Sequence, residues 1–129
     1  MDSLTYAGNP ANLSDLQSNP MYLFLEGDIA EVADVEKAFQ SYSPWGVINC
    51  AAESHVDRSL DDGKGFVRTN VLGTQVVLEL ARTEGCRFLQ VSTDEVYGSL
   101  GPQGKFSEDM PLCPSSPYAA TKAAADLLV

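Results

Sequence analysis

Apolar residues fall along this chain in two patterns, short unbroken runs and longer stretches at helical spacing. Three runs have strand length: "MYLFLEGD" (21–28), "WGVINCAA" (45–52) and "CRFLQVST" (86–93). Between the first two, "EVADVEKAFQSY" (31–42) places Val32, Val35, Ala38, Phe39 and Tyr42 on one helical face, and Pro44 ends it. Between the second and third, "GFVRTNVLGTQVVLELARTEG" predicts a long helix with Gly85 as its C-cap. Its apolar residues, among them Phe66, Val67, Val71, Val77, Leu78 and Ala81, occupy more than one face. Such a helix is expected to be buried on two sides, against a sheet and a partner. "NPANLSDLQS" predicts a short helix capped by Asn9, with Pro10 at its first position. After a Gly/Pro-rich loop, "PSSPYAATKAAADLLV" predicts a last helix capped by Ser115 or Ser116, with Pro117 in the first turn.

Strands alternating with helices predict an α/β fold with a doubly wound parallel sheet. Ligands of such sheets bind beyond the carboxyl ends of the strands. The three runs exit into Asp28, into Glu53-Ser54-His55 and into Thr93-Asp94-Glu95. Each cluster alone reads equally well as a set of caps and loop residues. Three at one sheet edge favour a site.

Composition narrows the ligand. The 129 residues suffice for one domain. A formal net charge of −10 argues against a nucleic-acid partner or an anionic membrane surface. No stretch is long and apolar enough to span a bilayer, and the first residues read as no signal peptide. Cys50, Cys86 and Cys113 are widely spaced with no CxxC pair, which predicts neither a disulfide framework nor a zinc site. Cys50 and Cys86 adjoin apolar runs and are expected to be buried thiols, in a reducing, cytoplasmic setting.

"VSTDEVYG" (91–98) sets a hydroxyl and two adjacent carboxylates at the end of an apolar run, which is costly unless they are paired or chemically useful. In "YAATK", Tyr118 and Lys122 lie at i and i+4 on one helical face. A nearby ammonium lowers a tyrosine pKa from about 10 and readies the phenol as a general base. Alone, the pair reads also as a solvated helix pair.

Together, "STDEVYG", "PSSPYAATK", "AAESHVDRS", "TNVLGT" and "LTYAGN" resemble the extended short-chain dehydrogenase/reductase family, and within it the nucleotide-sugar 4,6-dehydratases. The adjacent acids of "STDEVYG" are the most discriminating element. The resemblance covers essentially the whole chain and implies a partial NAD-binding Rossmann fold over residues 1–129. It implies NAD as a recycled hydride carrier and a nucleotide sugar, dTDP-glucose, as substrate, with a 4-keto-6-deoxy sugar as product. By resemblance, Tyr118 deprotonates the sugar C4 hydroxyl while hydride passes to NAD, and Lys122 supports the phenolate. Thr93 holds the C4 oxygen, Glu95 removes the C5 proton, and Asp94 protonates the departing C6 hydroxyl. Ser54 and His55 are implied to reach the substrate.

The same likeness places Asp2 on the adenosine ribose, where an acid favours NAD over NADP. Leu4 and Thr5 follow it around the adenosine, Asp28 and Ile29 flank the adenine, and Cys50, Ala51, Ala52, Glu53 and Ser54 line the pyrophosphate and nicotinamide side. Thr69, Tyr118 and Lys122 also approach the cofactor. No metal is implied. A homodimer is expected of the full-length parent, through the long helix and the last one. Two other readings stay open: a nucleotide-sugar epimerase or decarboxylase of the same fold, and a non-catalytic binding or dimerisation module.

The family pattern opens with a strand and a Gly-rich turn about 20–30 residues before the ribose acid. This sequence starts at that acid and stops within the last helix, so it reads as an internal fragment. The sheet is expected to be incomplete, NAD binding weak, and turnover by this chain alone absent.

Overall fold

Helix α1 (Val32–Tyr42) forms where apolar residues recur every three or four positions, and it buries Val35 and Phe39. It stops where Ser43 enters the left-handed region (φ 45°) and its amide bonds to the Phe39 carbonyl. Strand β1 (Gly46–Asn49) follows and pairs in parallel with β2 (Arg87–Gln90), with Gly46 opposite Arg87 and Asn49 opposite Gln90. Between the strands lie α2 (Val56–Asp61), α3 (Gly63–Phe66), a π-helical stretch (Val67–Gly73) and α4 (Thr74–Thr83). A 3-10 turn at Asp94–Tyr97, an irregular segment and α5 (Pro117–Leu128) complete the chain. The structure is a computed structural model and describes residues 1–129.

The core lies between α1, α4 and one face of the sheet. Ile29, Val35, Phe39, Val76, Val77 and Ala81 are its buried members, with Val47 and Phe88 of the strands packed against them. Strand residues alternate in direction, so Ile48 and Leu89 point the other way. They remain 69% and 53% exposed, because no helix of the chain covers that face. The sheet is therefore parallel as expected and wound on one side only. No helix is long and apolar enough to cross a membrane.

Four expectations need correction. The run at 21–28 forms no strand. Asp2 and Glu26 make one parallel bridge, supported by bonds from the Asp2 amide to Leu25 O (3.1 Å) and from the Gly27 amide to Asp2 O (3.1 Å). Leu4 then turns at φ 48°, so the neighbouring segment leaves before a ladder can form. The helix after Asn9 is 3-10, Pro10–Leu16. Asn9 caps it as expected, but it buries no side chain and Leu13 breaks its helical geometry.

The long helix is not uniform, since its middle is π-helical. There Gly73 runs so close to Ile29 that a Cβ would lie 2.6 Å from both Cδ1 and Cγ1. Its end is as predicted: Gly85 has φ 68° and the Cys86 amide bonds to Ala81 O (2.8 Å). Finally, the thiols are not buried. Cys50 is exposed just beyond β1, and Cys86 is half-buried with its Sγ against Pro44 O (2.8 Å).

Two depressions flank the open edge of β1. One is an apolar slot of about 560 Å³, with Val35, Phe39, Val47 and Val77 among its walls. The other is a groove at the carboxyl end of β1.

Candidate active site

This groove, of about 360 Å³, is built from four chain segments. One wall is the loop after the bridge, with Asp2, Ser3, Thr5, Ala7 and Gly8. The opposite wall is the exit of β1, with Cys50, Ala51, Ala52 and Glu53. Gly27, Asp28 and Ile29 contribute a third side, and Gly65, Arg68 and Thr69 a fourth. Small residues dominate these walls, which lets a ligand approach the backbone closely.

The loop is pre-shaped by its own acid: Asp2 Oδ1 accepts the Leu4 amide at 2.7 Å, and the Gly8 amide reaches Thr5 O at 2.8 Å. Asp28 is held likewise, by the Ala30 amide (2.8 Å) and by Arg68, which also bonds Glu31 at 2.6 Å. Partial burial opposes the Asp28 charge, but the Arg68 hydrogen bond, the Ala30 amide and the Arg68 charge outweigh it and hold the carboxyl below its ordinary range.

The second half of the site is where β2 meets α5. The strand ends at Gln90, earlier than the sequence suggests, because Thr93 becomes an N-cap: its Oγ1 accepts the Glu95 amide at 3.3 Å. Asp94 and Glu95 therefore sit on a 3-10 turn, not a strand. Successive side chains there diverge by about 120°, leaving Asp94 exposed and Glu95 half-buried. Gly98 closes the turn at φ 90°, where a Cβ would lie 2.5 Å from Cys113 O.

Helix α5 starts at Ser116, whose Oγ accepts the Ala119 amide at 3.0 Å. Tyr118 and Lys122 are both buried on its inner side. Tyr118 packs edge-on against Phe66, with centroids 6.4 Å apart. Lys122, 4% exposed, donates Nζ to the Val91 carbonyl, and Asp126 on the next turn of α5 accepts from Ser92 Oγ. Burial holds the Lys122 pKa below its ordinary value, and Asp126 and Cys50 offset this only in part. Two side-chain contacts thus pin the Y-x-x-x-K helix to the segment that leads into the S-T-D-E turn.

Of the residues expected to bind cofactor, Asp2, Thr5, Asp28, Ile29, Cys50, Ala51, Ala52, Glu53 and Thr69 line the groove. Leu4 does not; it turns away to face Leu13 and Tyr22 in a small separate pocket. Ser54 and His55 are exposed beside the groove, and His55 is the N-cap position of α2. Thr93, Asp94 and Glu95 sit on the turn after β2, and Tyr118 and Lys122 on α5, which is tied to Val91 and Ser92 just before that turn; none of the five lines the groove.

The structure adds residues that local patterns do not show. Asn70, fully buried in the π-helical stretch, accepts the Glu53 amide (2.8 Å) and donates to Glu53 O (2.9 Å) and Thr121 Oγ1 (3.0 Å). It ties the groove wall to α5. Tyr6 donates to Glu53 Oε2 (3.1 Å) beneath the Arg58 guanidinium. A buried polar residue in "TNVLGT" was the signal available for Asn70; nothing in the sequence pairs Tyr6 with Arg58.

A family model described as GDP-mannose 4,6 dehydratase matches residues 1–129. A dTDP-glucose 4,6-dehydratase of Xanthomonas campestris is 48% identical over all of this chain and 40% of that protein. One from Streptomyces griseus is 53% identical over 99% of this chain and 38% of that protein. The crystal structure of a Streptomyces venezuelae dTDP-glucose 4,6-dehydratase with NAD bound superposes with a TM-score of 0.91 at 46% identity, over 98% of this chain and 39% of that one. The chain spans about 40% of the length of the curated relatives it matches. A match running from Met1 to Val129, on a parallel α/β frame whose first strand opens into this groove, means that the chain belongs to the GDP-mannose 4,6 dehydratase family.

Proposed function

We propose that this chain carries the NAD groove and the catalytic cluster of a nucleotide-sugar 4,6-dehydratase acting on dTDP-glucose. One observation carries the reading. Lys122 and Asp126 fasten the helix bearing Tyr118 to Val91 and Ser92, which lead directly into Thr93, Asp94 and Glu95.

The groove residues fit the cofactor. Asp2 spends Oδ1 on the Leu4 amide and keeps its other oxygen for ribose hydroxyls, and such an acid repels a 2′-phosphate. Ala51, Ala52, Gly27 and Gly65 leave room for a pyrophosphate against the backbone. NAD, when bound, supplies a hydride acceptor for sugar C4 and a donor for C6.

The chain's own residues handle the protons. Tyr118 takes the C4 hydroxyl proton, with Lys122 on the same helical face one turn away. Thr93 accepts its hydrogen bond from the Glu95 amide, so its own hydroxyl proton is free for the sugar oxygen. Glu95 removes the C5 proton, made acidic by the C4 ketone. Asp94 protonates the leaving C6 hydroxyl. Their divergent directions on the 3-10 turn let the two carboxyls address different atoms of the sugar.

A cytoplasmic setting and a homodimer belong to the same proposal. Three free thiols suit a reducing compartment. Val67 and Leu72 stay about half exposed on the outer side of the π-helical stretch, as a helix-to-helix contact between copies needs.

The test grafts residues 1–129 in place of the matching stretch of the Streptomyces venezuelae enzyme. The chimera is expected to dehydrate dTDP-glucose, Tyr118→Phe to slow it about 10²- to 10⁴-fold, and Glu95→Gln to abolish solvent deuterium exchange at C5. An active chimera whose C5 exchange survives Glu95→Gln would overturn the dehydratase assignment.

A further inference from the structure

The two long walls of the groove come from residues 2–8 and 50–53, far apart in sequence, and Tyr6, in the first segment but outside the groove lining, bonds across to the second. Tyr6 reaches from the loop to Glu53 Oε2 at 3.1 Å. The Arg58 guanidinium of α2 sits 3.8 Å from the Tyr6 ring centroid, on its face. Glu53 is a firm anchor for this contact, because Asn70 holds both its amide and its carbonyl. Apart from the packing of Leu4 near Leu13 and Tyr22, the loop's other hydrogen bonds are internal or to its base: the Leu4 amide to Asp2, the Gly8 amide to Thr5, and the bridge to Glu26. Yet Tyr6 itself is 54% exposed and no part of the core. A large aromatic side chain held in the open by two directed contacts is placed there for geometry, not burial.

We propose that Tyr6, Glu53 and Arg58 form a strap that holds the 2–8 loop across the groove, making Tyr6 and Arg58 positioning residues that set Asp2 and Thr5 for the adenosine ribose. For its ligand the strap rests on the NAD reading above. It acts through the loop: with the strap intact, the loop's ordering is complete before the dinucleotide arrives, and the ligand need not supply it.

The two contacts can be removed separately. Tyr6→Phe keeps the cation–π contact and loses the Glu53 bond. Arg58→Lys keeps a cation over the ring. Tyr6→Leu loses both contacts. Amide hydrogen exchange is measured on the purified 129-residue chain at Leu4 and Gly8, with Val77 in α4 as the reference. Tyr6→Phe is expected to speed exchange at Leu4 and Gly8 about fivefold, the usual worth of one net hydrogen bond. Tyr6→Leu is expected to speed it about 10- to 30-fold as the cation–π contact is also lost, and Arg58→Lys to stay near wild type. Val77 should not change in any variant. NAD titration of the same proteins should show a weakening in the same order.

Equal exchange at Leu4 and Gly8 in wild type and Tyr6→Leu overturns the strap. So does acceleration that spreads equally to Val77, which marks Tyr6 as merely stabilising. Wild-type chain whose groove amides ignore NAD counts against the cofactor reading, and against the strap's role in binding, while the exchange rates without ligand still decide whether the strap exists.

Discussion

Asp28 shows how one residue's surroundings set its charge. Arg68 and the Ala30 amide overcome its partial burial and lower its pKa. A carboxyl depressed in the folded state contributes stability that is present above the ordinary aspartate range and is lost as pH falls through the depressed value. Arg68→Met removes the main support, so Asp28 should titrate at higher pH and its contribution should disappear earlier on acidification. Carboxyl ¹³C titration of the two proteins measures this, and an unmoved Asp28 would show that Arg68 does not govern it. The shared helical face of Tyr118 and Lys122 was legible from their spacing, but the Val91 carbonyl that Lys122 meets lies 31 positions away and was not. Asn70 and Tyr6 were not legible as site residues, because their partners lie 17, 51 and 47 positions away and only the fold brings them together.

At the scale of elements, caps and punctuation read well. Asn9, Ser116 and Gly85 terminate helices where their chemistry says they should. The failures share a cause. A strand exists through its partner, and the 21–28 run meets only Asp2 before the neighbouring chain turns at Leu4. The π-helical stretch likewise answers to tertiary demands, the seating of Asn70 and the passage of Gly73 over Ile29. Apolar periodicity carries neither. Gly73→Ala forces a methyl to 2.6 Å from two Ile29 carbons and should destabilise the chain by about 1–3 kcal/mol, the usual range for overpacking. Urea unfolding measures the loss, and wild-type stability would mean that the helix slides away from Ile29 freely.

The whole molecule exposes 8569 Å². A compact protein of 13.9 kDa exposes about 6,700 Å² by the usual size scaling. Part of the chain's exposure is apolar surface where the sheet is open, on the Ile48–Leu89 face and along the slot between β1 and Asp2. The parallel pairing of β1 with β2 was legible, since it follows from the order of runs and the rules of parallel sheets, while the incompleteness of the sheet was legible only through the family resemblance. The one-sided covering was legible only in part, because periodicity says that a face is apolar and not what lies on it.

An open sheet edge beside the groove leaves part of a dinucleotide without backbone donors, so binding by this chain should be weak, in the millimolar range. Backbone amide shifts of the ¹⁵N-labelled chain during titration with NAD test the central claim most directly. The groove predicts saturable shifts at Asp2, Thr5, Asp28, Ile29, Ala51, Ala52, Glu53 and Thr69, and smaller ones with NADP. Shifts confined to the apolar slot around Phe39 and Val47, or none at the groove, would contradict it.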